Sequence, residues 1–180
     1  GLGVGAMAGG IFHVFTHAFF KGCLFLAAGS VIHAMHHEED VYKMGGLKKF
    51  MPQTWIAYLF ATLAIAGFPL TAGFFSKDEI LFSAFIASSN GIPFLWALGA
   101  LTALLTAFYM GRSLFLAFHG SPDRIDPHVR EHLHESPKNM TVPILILGGL
   151  SLVVGFLNVP SGLNPTGNKD LSAKFHHFIA

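Results

Sequence analysis

The sequence predicts an all-α fold, namely a polytopic bundle of about four transmembrane helices, one of which is discontinuous. Three observations predict it. Charged residues make up 12% of the 180 residues and are concentrated in a few short stretches, whereas a soluble domain carries roughly 25%. The mean hydropathy is +0.55. Apolar stretches long enough to cross a bilayer alternate with charged or Pro/Gly-rich joints.

Four such stretches can be delimited. They run from Leu2 to Ala34, from Trp55 to Ala87, from Phe94 to Phe118 and from Met140 to Val159. A straight crossing needs roughly 20 residues, so the third and fourth fit one helix each, and the first fits if its Gly-rich start is a leading segment or a helix end. The second is too long and is interrupted by Gly67 and Pro69. We therefore expect two half-helices there, with an extended joint in mid-membrane.

The joints predict the orientation. Met35 to Pro52 and His119 to Asn139 each contain three Lys or Arg residues, whereas Ser88 to Pro93 contains no charge. Alternation of the spans puts the two basic joints on one side, which the positive-inside rule identifies as cytoplasmic, or as matrix in a mitochondrion. We expect residues 1–160 to form the membrane domain and residues 161–180 to begin the following connection. Because the chain starts without Met, we expect an internal fragment of a longer protein.

Composition excludes several classes of function. A formal net charge of +1 gives no electrostatic reason to bind nucleic acid. Cys23 is the single cysteine, so this chain can build neither a disulfide framework nor a cysteine-ligated metal or iron–sulfur centre. The histidine clusters of the joints lack the His-Glu-x-x-His order of a zinc site. We expect no metal and no cofactor to be bound by this chain.

The first span carries three ionisable residues in one row. His13, His17 and Lys21 recur every four residues, so they lie on one face of a helix. Lys21 falls near mid-membrane, roughly 18 Å from the nearest charged joint at a 1.5 Å rise per residue, too far for its stem to reach the headgroups. An ionisable residue at that depth indicates function. His13 can equally be a hydrogen-bonded packing histidine.

The second span carries three charges directly after its interruption, where transporters place binding sites. Asp78 and Glu79 can simply stabilise the start of the second half-helix, with Ser76 as its cap. That explanation does not extend to Lys77, because a cation is disfavoured at a helix N-terminus. The candidate residues for proton transfer are Lys21, His17, Lys77, His13 and Asp78.

This set of residue types suits proton transfer. Burial favours the neutral amine of a lysine and a nearby carboxylate favours the ammonium, so a moving counter-ion can load or unload a proton. Histidine titrates near neutral pH and can pass protons between lysines. Internal water has to bridge the remaining gaps.

Two long motifs carry a family resemblance. The run from His17 to Lys49 begins His-Ala-Phe-Phe-Lys and resembles the antiporter-like subunits of proton-pumping NADH:quinone oxidoreductase, respiratory complex I. The run from Gly67 to Leu81, with Gly-Phe-Phe-Ser-Lys-Asp-Glu-Ile-Leu, is similar to subunit L in particular. Tyr109 to Gly120 continues the match, which covers most of residues 11 to 157.

The resemblance implies part of the second repeat of an inverted-repeat antiporter-like fold, a C-terminal-half fragment. His17 and Lys21 then lie on a central helix, and Lys77 lies on the broken helix at the exit side of the repeat. It implies a proton-translocating subunit without a redox centre of its own. NADH, FMN, iron–sulfur clusters and quinone are then expected in partner subunits, and the adjacent antiporter-like subunit is the expected neighbour. The implied location is the bacterial inner membrane, or the mitochondrial inner membrane in a eukaryote.

Two other functions stay open. The large subunit of a multisubunit sodium/proton antiporter is homologous to this family, although the Lys-Asp-Glu triplet favours the redox-coupled subunit. A haem-binding electron carrier built on His13 and His17 would need an opposing mid-membrane histidine on a second helix.

Overall fold

The computed structural model describes residues 7–89 and 93–158, and over these residues the chain is helical without a β-strand. The helices, in chain order, are α1 (Met7–Ala34), α2 (Pro52–Ala66), α3 (Ala72–Ser89), α4 (Pro93–Leu114), α5 (Pro127–Glu131) and α6 (Lys138–Val153). A π-helical turn, Phe115–His119, extends α4, and a 3₁₀ turn, Val154–Asn158, extends α6. Residues 1–6 of the Gly-rich start and the predicted connection 161–180 lie outside the described residues, whereas Gly9 and Gly10 belong to α1.

Three helices are long and apolar enough to cross a bilayer, judged by length and composition. They span Met7–Ala34, Phe94–His119 and Lys138–Leu157. The remaining predicted span is divided between α2 and α3. The predicted helix bundle with one discontinuous helix is therefore confirmed.

The joint between α2 and α3 is a turn and not the extended segment that the sequence predicted. Gly67 adopts a left-handed conformation with φ 81°, which a glycine reaches without steric cost. Its N–H donates to the Ala64 carbonyl at 3.1 Å, and the Phe68 N–H donates to the Leu63 carbonyl at 3.0 Å. This pair of bonds is a Schellman cap. Leu70 is also left-handed, with φ 70°, so the chain bends sharply before α3.

Helix α3 also begins earlier than expected, and this corrects the predicted capping. Because the turn leads directly into a helix starting at Ala72, Ser76 lies inside that helix and its hydroxyl donates back to the Ala72 and Gly73 carbonyls, 3.3 Å from each. Asp78 and Glu79 follow in the second turn. Ser76 is therefore no cap, and the two carboxylates do not stabilise the first turn of α3.

Helices α1, α2 and α6 pack closely against one another. The Cys23 thiol of α1 is fully buried and lies 3.5 Å from the Ala57 carbonyl of α2 and 3.4 Å from the Ile144 carbonyl of α6. A Cβ added at Gly148 would lie 3.2 Å from the Ala57 Cα. Small residues at such crossings let membrane helices approach closely.

The two basic joints meet at one end of the bundle. A Cβ at Gly45 would overlap the Ser121 carbonyl, so the joints are in direct backbone contact. The Arg112 guanidinium, near the end of α4, donates to the Tyr42 hydroxyl of the first joint. Arg112 thus anchors α4 to a joint, which agrees with a structural role for this residue.

Outside the membrane spans, the Lys43 ammonium lies 2.9 Å from a Glu38 carboxylate oxygen. That hydrogen bond lowers the pKa of the Glu38 carboxyl below its usual range.

Helix α4 presents large apolar side chains that are more than half exposed, namely Leu101, Leu104, Leu105 and Phe108. A surface of this kind suits lipid or further helices.

Candidate functional site

The candidate site is a cavity of about 540 Å³ between α1, α3 and α4. Helix α1 contributes His13, His17 and Lys21 to its lining, and α3 contributes Lys77. The every-fourth-residue spacing on α1 therefore places all three side chains on the same cavity. Four of the five predicted site residues are brought together.

His13 is held by one nitrogen. Its Nδ1 lies 2.9 Å from the hydroxyl oxygen of Ser76, which is fully buried. The Thr16 hydroxyl lies 3.2 Å from the same oxygen. When the Ser76 hydroxyl donates to the α3 backbone, as described above, the His13 Nδ1–H donates to Ser76 and leaves Nε2 as an acceptor. His13 thus connects α1 to α3 and keeps one nitrogen available to accept a hydrogen bond.

His17 is less constrained. Its ring centroid lies 6.0 Å from that of His13 and 5.2 Å from that of Phe20, which it meets edge-on. Among the described residues, neither ring nitrogen has a hydrogen-bond partner. A ring held by packing on one side, with both nitrogens available to water, is suited to receive and release protons.

Lys21 lies one turn further along α1. Its Nζ is 5.2 Å from the centroid of the Phe25 ring, which is within cation–π range. Within the part of the chain that the structure describes, no carboxylate lies in salt-bridge distance of this ammonium. Among the described residues, the aromatic face of Phe25 is therefore the contact that stabilises the charge of Lys21.

The Lys77 side chain of α3 binds a backbone carbonyl at the end of α2. The Schellman cap satisfies the Leu63 and Ala64 carbonyls, and the Lys77 ammonium donates to the next one, the Ile65 carbonyl. A cation at a helix C-terminus is electrostatically favoured. The contact needs the start of α3 to approach the end of α2 very closely, and a Cβ at Gly73 would overlap the Ala64 carbonyl oxygen. This partner of Lys77 was not predicted from the sequence.

The charges that follow Lys77 point elsewhere. Asp78 is exposed and does not line the cavity. Glu79 packs against α1, where a Cβ at Gly9 would lie 2.8 Å from its carboxyl carbon. Successive residues of a helix point about 100° apart, so three adjacent charges cannot share one cavity. The structure does not bring Asp78 together with the other four candidates.

Helix α4 supplies a wall that sequence reasoning missed. Thr102, Thr106 and Tyr109 all line the cavity. Their spacing of four and then three residues places them on one face of a helix, which is the signal that could have identified them. These hydroxyl groups give the cavity polar partners that are not charged.

The cavity is lined by basic side chains and not by acidic ones among the described residues. Two lysines and two histidines line it, and none of the described lining residues is a carboxylate. Positive charges placed on these groups would repel one another in a partly buried site.

A helix bundle with an interrupted helix beside a basic cavity is an arrangement typical of polytopic membrane transporters. The family model described as "NADH:quinone oxidoreductase/Mrp antiporter, TM" matches residues 1–106. The chain belongs to this family and is an integral membrane protein. The resemblance inferred from the two sequence motifs is confirmed.

Individual relatives support the same family. The chain is 43% identical to NAD(P)H-quinone oxidoreductase chain 5 of a Picosynechococcus species, over 89% of this chain and 27% of the relative. It is 40% identical to NADH-quinone oxidoreductase subunit L of Neisseria meningitidis serogroup B, over 88% of this chain and 26% of the relative. The chain thus spans about a quarter of the length of these curated relatives.

A solved structure shows the same fold. The structure of the Mrp complex from Dietzia sp. contains a chain that matches with a TM-score of 0.70 over 83% of this chain and 34% of that chain. The sequence identity is 20%, so this likeness concerns the fold alone.

Proposed function

We propose that the chain is part of a proton-translocating membrane subunit of an NADH:quinone oxidoreductase. The observation that carries the proposal is the cavity in which His13, His17, Lys21 and Lys77 meet without a carboxylate among the described lining residues. Relatives named subunit L or chain 5, at 40% and 43% identity, support coupling to redox chemistry in other subunits. The pumping unit is then residues 1–160, and residues 161–180 begin the connection that follows.

The geometry supports an order of transfer. Lys77 and His13 lie at the α3 side of the cavity, and His17 and then Lys21 follow along α1 at one-turn intervals. The imidazole centroids of His13 and His17 are 6.0 Å apart, beyond direct hydrogen bonding, so water has to complete each step. A lysine accepts a proton on its neutral amine and gives it up when the next group is free. Asp78, exposed beside Lys77, would act as an exchange partner on the side of α3 away from the cavity.

Partners and location follow from the same proposal. The exposed apolar face of α4 would contact lipid or further membrane helices, including those of an adjacent antiporter-like subunit. NADH, FMN, iron–sulfur clusters and quinone would be bound by partner subunits. The membrane would be the bacterial inner membrane, or the mitochondrial inner membrane in a eukaryote, with the basic joints on the cytoplasmic or matrix side.

One alternative has a specific observation in its favour. The fold is shared with a chain of an Mrp complex, so a subunit of a multisubunit sodium/proton antiporter is the second candidate. Identification of the co-purifying subunits separates the two candidates. A haem carrier is not proposed, because both histidines that line the cavity among the described residues belong to α1.

The decisive experiment replaces the central lysine. In the complete complex reconstituted in vesicles, Lys21→Ala should largely abolish NADH-driven proton pumping while complex yield is unchanged, because the carrier is removed from the middle of the path. Lys49→Ala, a change at an exposed lysine of the first joint, is the matched control and should pump normally. Normal pumping by a correctly assembled Lys21→Ala complex would contradict the proposal.

A further inference from the structure

Three side chains form a cluster at the end of the bundle where the basic joints meet. Lys48 belongs to a 3₁₀ turn of the first joint, Leu47–Lys49, which the fully buried Leu47 holds in place. Trp55 lies near the start of α2, and His119 ends the π-helical turn that follows α4. None of the three lines the cavity between α1, α3 and α4. The cluster is therefore separate from the residues that are proposed to carry protons.

The Trp55 indole holds the other two side chains of the cluster. The Lys48 ammonium lies over the face of the indole, 4.0 Å from the ring centroid, which is within cation–π range. The indole N–H donates to the Nε2 atom of His119 at 3.1 Å. Because Nε2 is the acceptor, the ring proton of the neutral His119 is on Nδ1. The ammonium and the Nδ1–H are thus two hydrogen-bond donors placed around one indole.

The cluster carries positive charge without an anionic partner in the described part of the chain. Neither of the two salt bridges among the described residues includes Lys48 or His119. Arg112 adds a further positive charge at this end of the bundle, since its guanidinium reaches Tyr42 of the first joint. Ammonium and N–H groups bind phosphate oxygens through charge-assisted hydrogen bonds. The cluster is therefore suited to bind a phosphate group.

An exposed apolar row continues from the cluster along α4. The Phe115 ring lies 5.3 Å from the His119 ring, centroid to centroid, and Phe115 is 63% exposed. Phe108 and Leu104 are 66% and 67% exposed, and their spacing in the sequence places them on the same helix face as Phe115. From Phe115 to Leu104 the row extends about 17 Å at a 1.5 Å rise per residue. This length is close to half of the roughly 30 Å hydrocarbon core, so the row can accompany an acyl chain through one leaflet.

We propose that this end of the chain binds an anionic phospholipid, with its phosphate at the cluster and one acyl chain along the apolar row. Charge complementarity selects this occupant. A further protein helix could cover the row but would leave the cluster without an anion, whereas a phospholipid supplies both parts. Tryptophan is enriched at the membrane–water interface, and basic sites at the ends of membrane helices bind anionic headgroups.

The net charge of the lipid should also matter. A zwitterionic phospholipid carries a cation beside the same phosphate, and the charges of Lys48 and Arg112 disfavour that cation. The site should therefore prefer phosphatidylglycerol to phosphatidylcholine. The proposal goes beyond the proposed function and does not depend on proton transfer.

The test is photolabelling of the complete complex in vesicles. The probe is phosphatidylglycerol with a diazirine on one acyl chain, and phosphatidylcholine with the same labelled chain is the control lipid. Phosphatidylglycerol should label the α4 segment that contains Leu104 and Phe108 several-fold more strongly than phosphatidylcholine. Lys48→Ala should remove most of this preference. Lys49→Ala makes the same charge change at the next residue and should keep the preference, because adjacent residues of a 3₁₀ turn point in different directions.

Three results would overturn the proposal. Equal labelling by the two lipids would show that α4 contacts the bilayer without a headgroup site. An equal loss in Lys48→Ala and Lys49→Ala would show that net charge and not the cluster attracts the lipid. Absence of label on α4 from both lipids would show that further helices cover the row.

A competition experiment on the wild-type complex separates a lipid site from a site for free phosphate, and it decides the question if Lys48→Ala does not assemble. Excess unlabelled phosphatidylglycerol should reduce the labelling of α4 several-fold, whereas excess inorganic phosphate should leave it unchanged. Equal competition by inorganic phosphate would contradict the lipid site, and so would a failure of unlabelled phosphatidylglycerol to compete.

Discussion

Lys77 allows the structural and the chemical role of one side chain to be separated. Its ammonium donates to the Ile65 carbonyl at the end of α2, and a hydrogen bond to a charged group contributes about 1.5–3 kcal/mol. Lys77→Met keeps an unbranched apolar stem but leaves that carbonyl without its donor. We expect the free energy of unfolding of the subunit to fall by about 1.5–3 kcal/mol, and we expect pumping to be lost.

Lys77→Arg removes the ability to release a proton and keeps the positive charge. A guanidinium still donates to the carbonyl and keeps the positive charge at the end of α2, but it does not release a proton in the physiological range. The arginine variant should therefore keep nearly all of the stability of the wild type and still fail to pump. Stability is measured by equilibrium unfolding of the purified protein, and pumping by a pH-sensitive dye in vesicles energised with NADH.

The two variants together distinguish a proton carrier from a helix cap at Lys77. Normal pumping by Lys77→Arg would show that only a fixed positive charge is needed and that Lys77 is a helix cap. Equal stability of Lys77→Met and the wild type would show that the bond to Ile65 contributes nothing, and that the structural half of the argument is wrong.

Two further predictions concern the approach of α3 to α2 and the relay on α1. Gly73→Ala should lower the free energy of unfolding by about 1–3 kcal/mol or more through overpacking, because its Cβ would overlap the Ala64 carbonyl. Gly29→Ala, in helix α1 with open space around it, should instead raise the free energy of unfolding by about 0.5–1 kcal/mol. The opposite order of stability in denaturant titrations would refute this packing. His17→Gln should lower pumping and the coupled quinone-reductase rate at unchanged melting temperature, and a silent Gln variant beside a destabilised His17→Ala would identify a packing residue.

Much of the site was predictable because helical geometry leaves little choice in a bilayer. Every backbone polar group of a spanning segment has to be bonded within the helix, so the spacing of His13, His17 and Lys21 is enough to place them on a common face. The interruption at Gly67 and Pro69 is equally visible in the sequence. The outward position of Asp78 also follows from the angle between successive helical residues, a constraint that was not applied when Asp78 was grouped with Lys77. A role of Asp78 in proton transfer stays a prediction.

Other features depend on contacts that no local pattern contains. The bend at the interruption depends on the left-handed conformations of Gly67 and Leu70, whereas Pro69 alone is compatible with an extended segment. The carboxylate that accepts a hydrogen bond from the Thr54 hydroxyl at the start of α2 belongs to Glu135, 81 residues away in the chain. Pairings of this kind are set when the helices assemble, so sequence periodicity could not have identified them.

The interruption at the end of α2 gives Lys77 its hydrogen-bond acceptor. A continuous helix would bond the Ile65 carbonyl internally, and Lys77 would have no acceptor there. The end of α2 supplies that acceptor. A neutral amine makes a weaker bond, about 0.5–1.5 kcal/mol against about 1.5–3 kcal/mol for the ammonium. If Lys77 carries protons as proposed, release of its proton would weaken this contact between α2 and α3, and by linkage a movement that separates the two helices would promote release. In the proposed pump, this reciprocity would couple the position of α3 to the loading of the cavity.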